Sequence, residues 1–216
     1  MLFRSAELCV EKGSEYEPGD PRRKLKGRVV FLGDRVQDQH GNPAMFQELS
    51  SSPAAMEAST FGDMYGLFAG HVCEQADGEQ AYCQSYLTGT DTWVHIPEHR
   101  RPPAWKGINK PVCRLVKALY GHPDAGGHWE EHCERILLHH GFTPVGECRE
   151  WRSCYWHPDL HTLLVVYVDD FKLSGPADSV KKAWELFRQR DKDDPFTIKI
   201  SDPIPVSDYL GCKQIG

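Results

Sequence analysis

Apolar residues recur along this chain with two different periods, and the change from one to the other lays out a series of strands and helices. A continuous apolar run, Thr162-Leu163-Leu164-Val165-Val166, reads as a buried strand, and Phe171 to Leu173 reads as the strand that returns beside it. Arg28 to Leu32, Val72 to Ala76 ending at Asp77, Trp93 to Ile96 ahead of Pro97, and Val112 to Val116 are further short strands. Phe196 to Ile200 and Tyr209 to Gln214 close the series. Helical spacing is carried first by Phe61, Met64, Tyr65, Leu67 and Phe68. Ser51 or Ser52 would cap that helix, with Pro53 in its first turn, and the helix would pack on a sheet. Glu79 to Leu87 reads as a helix stopped by Gly89. A long helix from about Asp124 to His140 puts Trp129, Cys133, Ile136 and Leu137 on one face and stops at Gly141. From Asp178 to Arg190, Val180, Ala183, Trp184 and Phe187 fall at i, i+3, i+4 and i+7. Residues 11 to 24 lack periodicity, so residues 1–24 are expected to be a flexible lead-in, and Gly33 to Asn42 a polar loop.

These elements predict an α+β fold, a sheet with helices packed against one face. At 216 residues the chain suits one domain or one compact two-lobed unit, and 40% hydrophobic with 26% charged residues is ordinary for a globular protein. No apolar run approaches the ~18 residues of a membrane span, and Met1 to Val10 has no continuous apolar core of a secretory signal. A soluble, intracellular chain with no membrane partner is expected. The eight cysteines include no C-x-x-C pair and are expected to be reduced.

A net charge of −6 argues against nucleic acid at first sight, because phosphate neutralisation needs Lys and Arg. The basic residues are clustered, however. Arg22, Arg23, Lys24, Lys26 and Arg28 form one group, and Arg100, Arg101, Lys106, Lys110, Arg114 and Lys117 another. Such clusters can bind phosphate within an acidic protein, but the plainer reading of each group alone is a solvated charge run or, for the first, a localisation signal.

The buried run ends in Tyr167-Val168-Asp169-Asp170. On a flat strand Asp169 and Asp170 would point to opposite faces, but in a tight hairpin turn both can lie near one cavity. Their hard oxygen ligands suit Mg2+ or Mn2+ rather than zinc. An Asp-Asp turn with no ligand is the plainer alternative. A two-metal phosphoryl-transfer site needs carboxylates from separate segments, and Asp77 at another strand end could complete the set. A different chemistry is offered by His128-Trp129-Glu130-Glu131-His132, which fits H-x-x-E-H and would put His128 and His132 on one helix face as zinc ligands of a metallopeptidase, with Glu131 as base.

Several segments, taken in order, resemble the reverse transcriptase domain of copia-type LTR retrotransposons. Lys26-Gly27-Arg28-Val29-Val30 resembles the family's K-A-R-L-V segment, and Cys73-Glu74-Gln75-Ala76-Asp77 its Q-x-D stretch. Asp77 to Tyr82 fits its D-x-x-x-A-[FY] spacing, and Ala81 to Gly89 its A-F-L-x-G continuation. Trp93-Val94-His95-Ile96-Pro97 resembles V-Y-M-x-x-P, and Cys113 to Gly121 the K-x-L-Y-G block, with Trp129 at the family's position. Gly141-Phe142, the Y-V-D-D box and Tyr209-Leu210-Gly211, similar to the late F-L-G segment, follow. One departure stands out: His122-Pro123-Asp124-Ala125-Gly126-Gly127-His128 replaces the family's L-K-Q-A-P-R-x, so Asp124 stands where the family has Gln and is read as a helix cap.

The resemblance implies reverse-transcriptase-like fingers and palm over residues 25–216, with an antiparallel palm sheet, truncated before thumb and RNase H. It implies an RNA-directed DNA polymerase that joins dNTPs to a primer 3′ hydroxyl, or else a silent retroelement fragment that binds template-primer. Asp77, Asp169 and Asp170 would hold two Mg2+ ions, with Mn2+ as an alternative. Tyr82 would be a steric gate against a ribose 2′ hydroxyl, Tyr167 would lie in the substrate site, and Lys26 and Arg28 would touch the triphosphate. The implied partners are an RNA or DNA template with primer and the RNase H and integrase domains of a Pol polyprotein. The implied location is a cytoplasmic virus-like particle with a nuclear stage.

Overall fold

A computed structural model describes residues 2–32, 36, 38, 40–42, 53–146, 151–189, 194–209 and 212–213. In chain order the elements are β1 (Leu2–Lys12), β2 (Lys24–Phe31), α1 (Met56–Gly66), β3 (His71–Asp77), α2 (Ala81–Gln84), β4 (Trp93–His95), β5 (Val112–Arg114) and α3 (Ala125–His139). They continue with β6 (Thr143–Pro144), β7 (Cys154–His157), β8 (Thr162–Tyr167), β9 (Asp170–Pro176), α4 (Ala177–Phe187), β10 (Ile204–Pro205), β11 (Asp208–Tyr209) and β12 (Cys212–Lys213). The fold is α+β. The chain divides into two compact units, Met1–Leu49 with Ser85–His128, and Ser50–Gln84 with Trp129–Gly216. Among the described residues, no helix is long and apolar enough to cross a membrane.

The first unit is built on a four-stranded sheet in the order β2-β1-β4-β5. β1 runs antiparallel to β2 from Ser5↔Phe31 to Lys12↔Lys24 and parallel to β4. Phe31, Val36 and Val94 form its core, with Ile96, Cys113, Leu115 and Leu119 packed against them. The expected flexible lead-in is thus a strand over most of its first half. Its pattern is hard to read because Glu7 to Lys12 are exposed whatever their polarity, so the strand is held by its ladder rather than by a buried face. Gly121 fits the K-x-L-Y-G block to this sheet. Its φ is +86°, and a Cβ there would collide with the Phe31 carbonyl oxygen, whose residue donates its amide to Tyr120 O at 2.6 Å. On β2, which is an edge strand, Lys24, Lys26 and Arg28 occupy alternate positions.

The second unit holds a six-stranded sheet in the order β10-β3-β9-β8-β7-β6, antiparallel throughout. Both edges are two-residue strands that include a proline, Pro205 on β10 and Pro144 on β6. Side chains alternate across the sheet. Leu164, Val166, Phe171 and Leu173 join Trp129, Ile136 and Leu137 of α3 and Val180, Ala183, Trp184 and Phe187 of α4 in one core. The heptad-like spacing of α4 is realised as expected, with those four residues buried.

The other face is covered as well, by α1, so the expectation of helices on one face only is corrected. The reason lies in which side α1 presents. Its buried residues are Ala58, Ser59 and Gly62, whereas Phe61, Met64, Leu67 and Phe68 are exposed. Small residues let the helix approach β9 and β3: a Cβ on Gly62 would stand 3.4 Å from Ser174 Oγ, and one on Gly66 would stand 2.7 Å from Cys73 Cβ. The helix begins at Met56 after Ala55, and the expected caps Ser51 and Ser52 lie outside the described residues.

Other differences are local. The helix expected over Glu79 to Leu87 is a single turn, because Gln80 adopts φ +54° before it and the Leu87 amide bonds to Val116 O after it. Phe196 to Ile200 forms isolated bridges, Arg188↔Ile198 and Gly78↔Ile200, in place of a strand. The expected last strand is the small β11–β12 hairpin, and Gln214 lies outside the described residues. β7 went unread because the four residues Cys-Tyr-Trp-His are too short for a period.

Candidate functional site

The antiparallel registers decide which acidic residues meet. Asp77, the last residue of β3, is the direct partner of Asp170, the first of β9. Directly opposed residues share a face of the sheet, with Cβ atoms about 4.5–5.5 Å apart. Tyr167 is the partner of Asp170 on the other side and points to the same face. Between them Val168 and Asp169 make a two-residue turn.

That turn is strained. Val168 has φ +57°, a conformation that favours Gly. A β-branched residue there costs on the order of 1–3 kcal/mol and persists only where its surroundings over-determine it. Two hydrogen bonds do so here. The Trp129 indole N–H donates to Val168 O at 2.6 Å, and the Gly78 amide donates to Asp169 O at 2.6 Å. Asp77 is fixed in turn by its amide to Ser201 Oγ at 2.9 Å and its carbonyl from the Ser201 amide at 2.8 Å. Three carboxylates are therefore anchored by their backbones at one end of the sheet.

Asp77 is exposed, and Asp169 and Asp170 are half-buried. Tyr82 on α2 packs against the core. Burial pushes its phenol up, and the charges of Asp169 and then Glu130 add to this, which places its hydroxyl in the field of the turn carboxylate. Among the described residues, no three His, Cys, Asp or Glu side chains are gathered closely enough to hold a metal ion. Carboxylate oxygens are chemically suited to a hard divalent cation.

Beside Asp170 lies a group that the sequence reading missed. Lys172 is 1% exposed. Its Nζ donates to Asp63 Oδ1 at 2.7 Å and to Ser59 Oγ at 2.9 Å, both on α1. The Tyr209 ring covers it, with its centroid 4.1 Å away. Burial, followed by the charges of Asp170 and Asp63, drives the Tyr209 phenol far upward, so it stays protonated. Burial likewise pushes the Cys73 thiol up to about 11. The one available signal was a lysine inside an otherwise apolar returning strand.

The other expected site residues stand in the first unit. Lys26 is exposed on β2 opposite Val10. Arg28 lies over the Tyr120 ring at 5.2 Å and lines a cavity of about 700 Å³ with Glu7, Cys9, Ile96 and Arg100. Arg100 is bound by Glu7 through two bonds of 2.8 and 3.1 Å. Asp124 directly precedes α3, and its carbonyl accepts from the His128 amide at 3.1 Å. Its buried Oδ1, however, has no hydrogen-bond partner, so that oxygen does not cap the helix. Of the H-x-x-E-H residues, His128 is buried, Glu131 is exposed, and His132 Nδ1 accepts from Arg135 at 3.5 Å.

No protein-family model matches the chain, and no curated protein matches it.

Proposed function

We propose that this chain is the RNA-directed DNA polymerase domain of a copia-type retrotransposon, a fingers-palm unit that joins a dNTP to a primer 3′ hydroxyl. The observation that carries the reading is the cross-strand pairing of Asp77 with Asp170 beside Asp169 in a strained turn. Ordinary Asp-Asp turns have no need of a left-handed valine or of two buried donors to hold it. The ordered sequence resemblance supports the same reading.

Asp77, Asp169 and Asp170 would hold two Mg2+ ions, which when bound would supply charge stabilisation to the attacking and leaving oxygens. The chain's own contribution is placement. Two strands and a fixed turn bring three carboxylates to one end of the sheet, at no reorganisation cost to the backbone. The steric-gate role of Tyr82 rests on the sequence resemblance, with the charge of Asp169 acting on its phenol; Tyr167 lines the sheet face of Asp77 and Asp170. The triphosphate role of Lys26 and Arg28 rests on the sequence resemblance alone. The proposed partners are a template-primer duplex, dNTPs and, in a longer polyprotein, RNase H and integrase domains; the proposed setting is a cytoplasmic virus-like particle.

Primer extension on an RNA template with dNTPs and Mg2+, comparing wild type with Asp169→Asn, tests the reading. Extension abolished by the substitution supports it, and equal extension by both proteins would sink the carboxylate assignment. Duplex binding without extension by either protein would favour a silent template-primer-binding fragment, a reading consistent with the Asp124 departure.

A further inference from the structure

Lys172 stands two residues beyond Asp170 on the same face of β9, almost out of contact with solvent. It is tied to α1 through Asp63 and Ser59, and Tyr209 spans the gap back to the site. The Tyr209 ring lies on the ammonium, and its hydroxyl donates to the Asp170 carbonyl at 3.4 Å. The network extends the other way. Ser174 Oγ donates to Cys73 Sγ at 3.1 Å, and that thiol donates to the same Asp63 oxygen at 3.8 Å.

A buried ion pair is a weak source of net stability, because the cost of desolvating two charges offsets most of their attraction, and apolar residues of equal volume often serve as well. What a charge-assisted hydrogen bond adds is direction. A methionine at 172 could fill the space in several rotamers, whereas a lysine bonded to Asp63 and Ser59 under an aromatic ring has one arrangement. Asp63 also neutralises it, so the pair adds little net field at the neighbouring carboxylates. Its effect on them is mechanical.

We infer that Lys172, with Asp63 and Tyr209, is a positioning element that locks the first residues of β9 to α1 and so fixes Asp170 opposite Asp77. The inference rests on the reading of Asp77, Asp169 and Asp170 as a cation-holding site. Tyr209 meets Asp170 at its backbone carbonyl.

The test uses the full chain as wild type, as the double variant Lys172→Met with Asp63→Leu, and as Tyr209→Phe. Amide hydrogen exchange is read at 167–171 and, as an internal reference, on α4. Mn2+ binding is followed by electron paramagnetic resonance. In the double variant, exchange at 167–171 rises about tenfold or more while α4 is unchanged, and the half-saturating Mn2+ concentration rises several-fold. Tyr209→Phe moves both in the same direction by less. Unchanged exchange at 167–171 in the folded double variant overturns the positioning role, and Tyr209→Phe decides it if the double variant does not fold. Should wild type bind no Mn2+, or Asp169→Asn bind it equally well, the cation-site reading fails instead, and the exchange data alone then decide the role of Lys172.

Discussion

The indole nitrogen of Trp129 holds the carbonyl of Val168 at 2.6 Å, tying the buried face of a helix to the tip of the acidic hairpin. Trp129 is 1% exposed, so the donor is shielded from water, while Val168 is half-buried. Trp129→Phe keeps the aromatic bulk and removes the donor, at a cost of about 0.5–1.5 kcal/mol for the lost bond. A urea-unfolding midpoint unchanged in this variant would show that the bond does not support the turn.

Val168 itself offers a test of opposite sign. Glycine at φ +57° has no Cβ to strain, so Val168→Gly is expected to raise stability by about 1 kcal/mol after the greater chain entropy of glycine is set against the relief. Under the proposed polymerase reading, primer extension falls in the same protein, because a relaxed turn no longer holds Asp169 in one place. Lower stability, measured by urea titration, would contradict the strain.

Gly66 and Leu67 are neighbours with contrasting expectations. A methyl on Gly66 would meet Cys73 Cβ at 2.7 Å and its backbone nitrogen at 3.3 Å, atoms that cannot swing aside. Overpacking of about 1–3 kcal/mol outweighs the gain of up to about 1 kcal/mol in helix propensity, so Gly66→Ala lowers the melting temperature. Leu67 is 83% exposed, and Leu67→Ser changes stability by less than about 0.5 kcal/mol. Differential scanning calorimetry of both checks the pair.

His122 makes the stability of the first unit depend on pH. Burial holds its imidazole below the ordinary histidine value, the nearby charge of His128 lowers it further, and Asp124 opposes both. Its Nδ1 accepts the Asp124 amide at 3.1 Å, which requires that nitrogen to be unprotonated. With the folded value depressed, the contribution is complete above the unfolded value of about 6.5 and is lost as pH falls below it. His122→Asn preserves an acceptor without the titration. Urea unfolding at about pH 7.5 and pH 5 is expected to show a larger acid loss in wild type than in the variant, and equal losses would refute the assignment.

What could be read from the sequence depended on whether size and burial agree. α4 was legible because its large apolar residues, Trp184 and Phe187, are the ones that face the sheet. α1 packs on the sheet as expected, but its large residues face outward and Gly62 faces in, so the apolar period does not mark the buried side. The acids at the site were visible as polar residues ending apolar runs, and the hairpin between Tyr167 and Asp170 followed from the same pattern. The partners of Lys172 were not, since Asp63 lies 109 residues away and only the tertiary fold brings it close.

The prolines and cations at the strand edges set how each sheet meets its surroundings. Pro205 and Pro144 each remove a donor from a two-residue edge, so neither side of the sheet that carries the acids offers a long ladder to an incoming strand. β2 is eight residues long and has no proline; Lys24, Lys26 and Arg28 stud it at every second position, so a second copy approaching it meets like charge. One sheet is guarded at both edges by proline, and the other at its β2 edge by charge. High salt should therefore loosen the guard on the first unit's sheet alone.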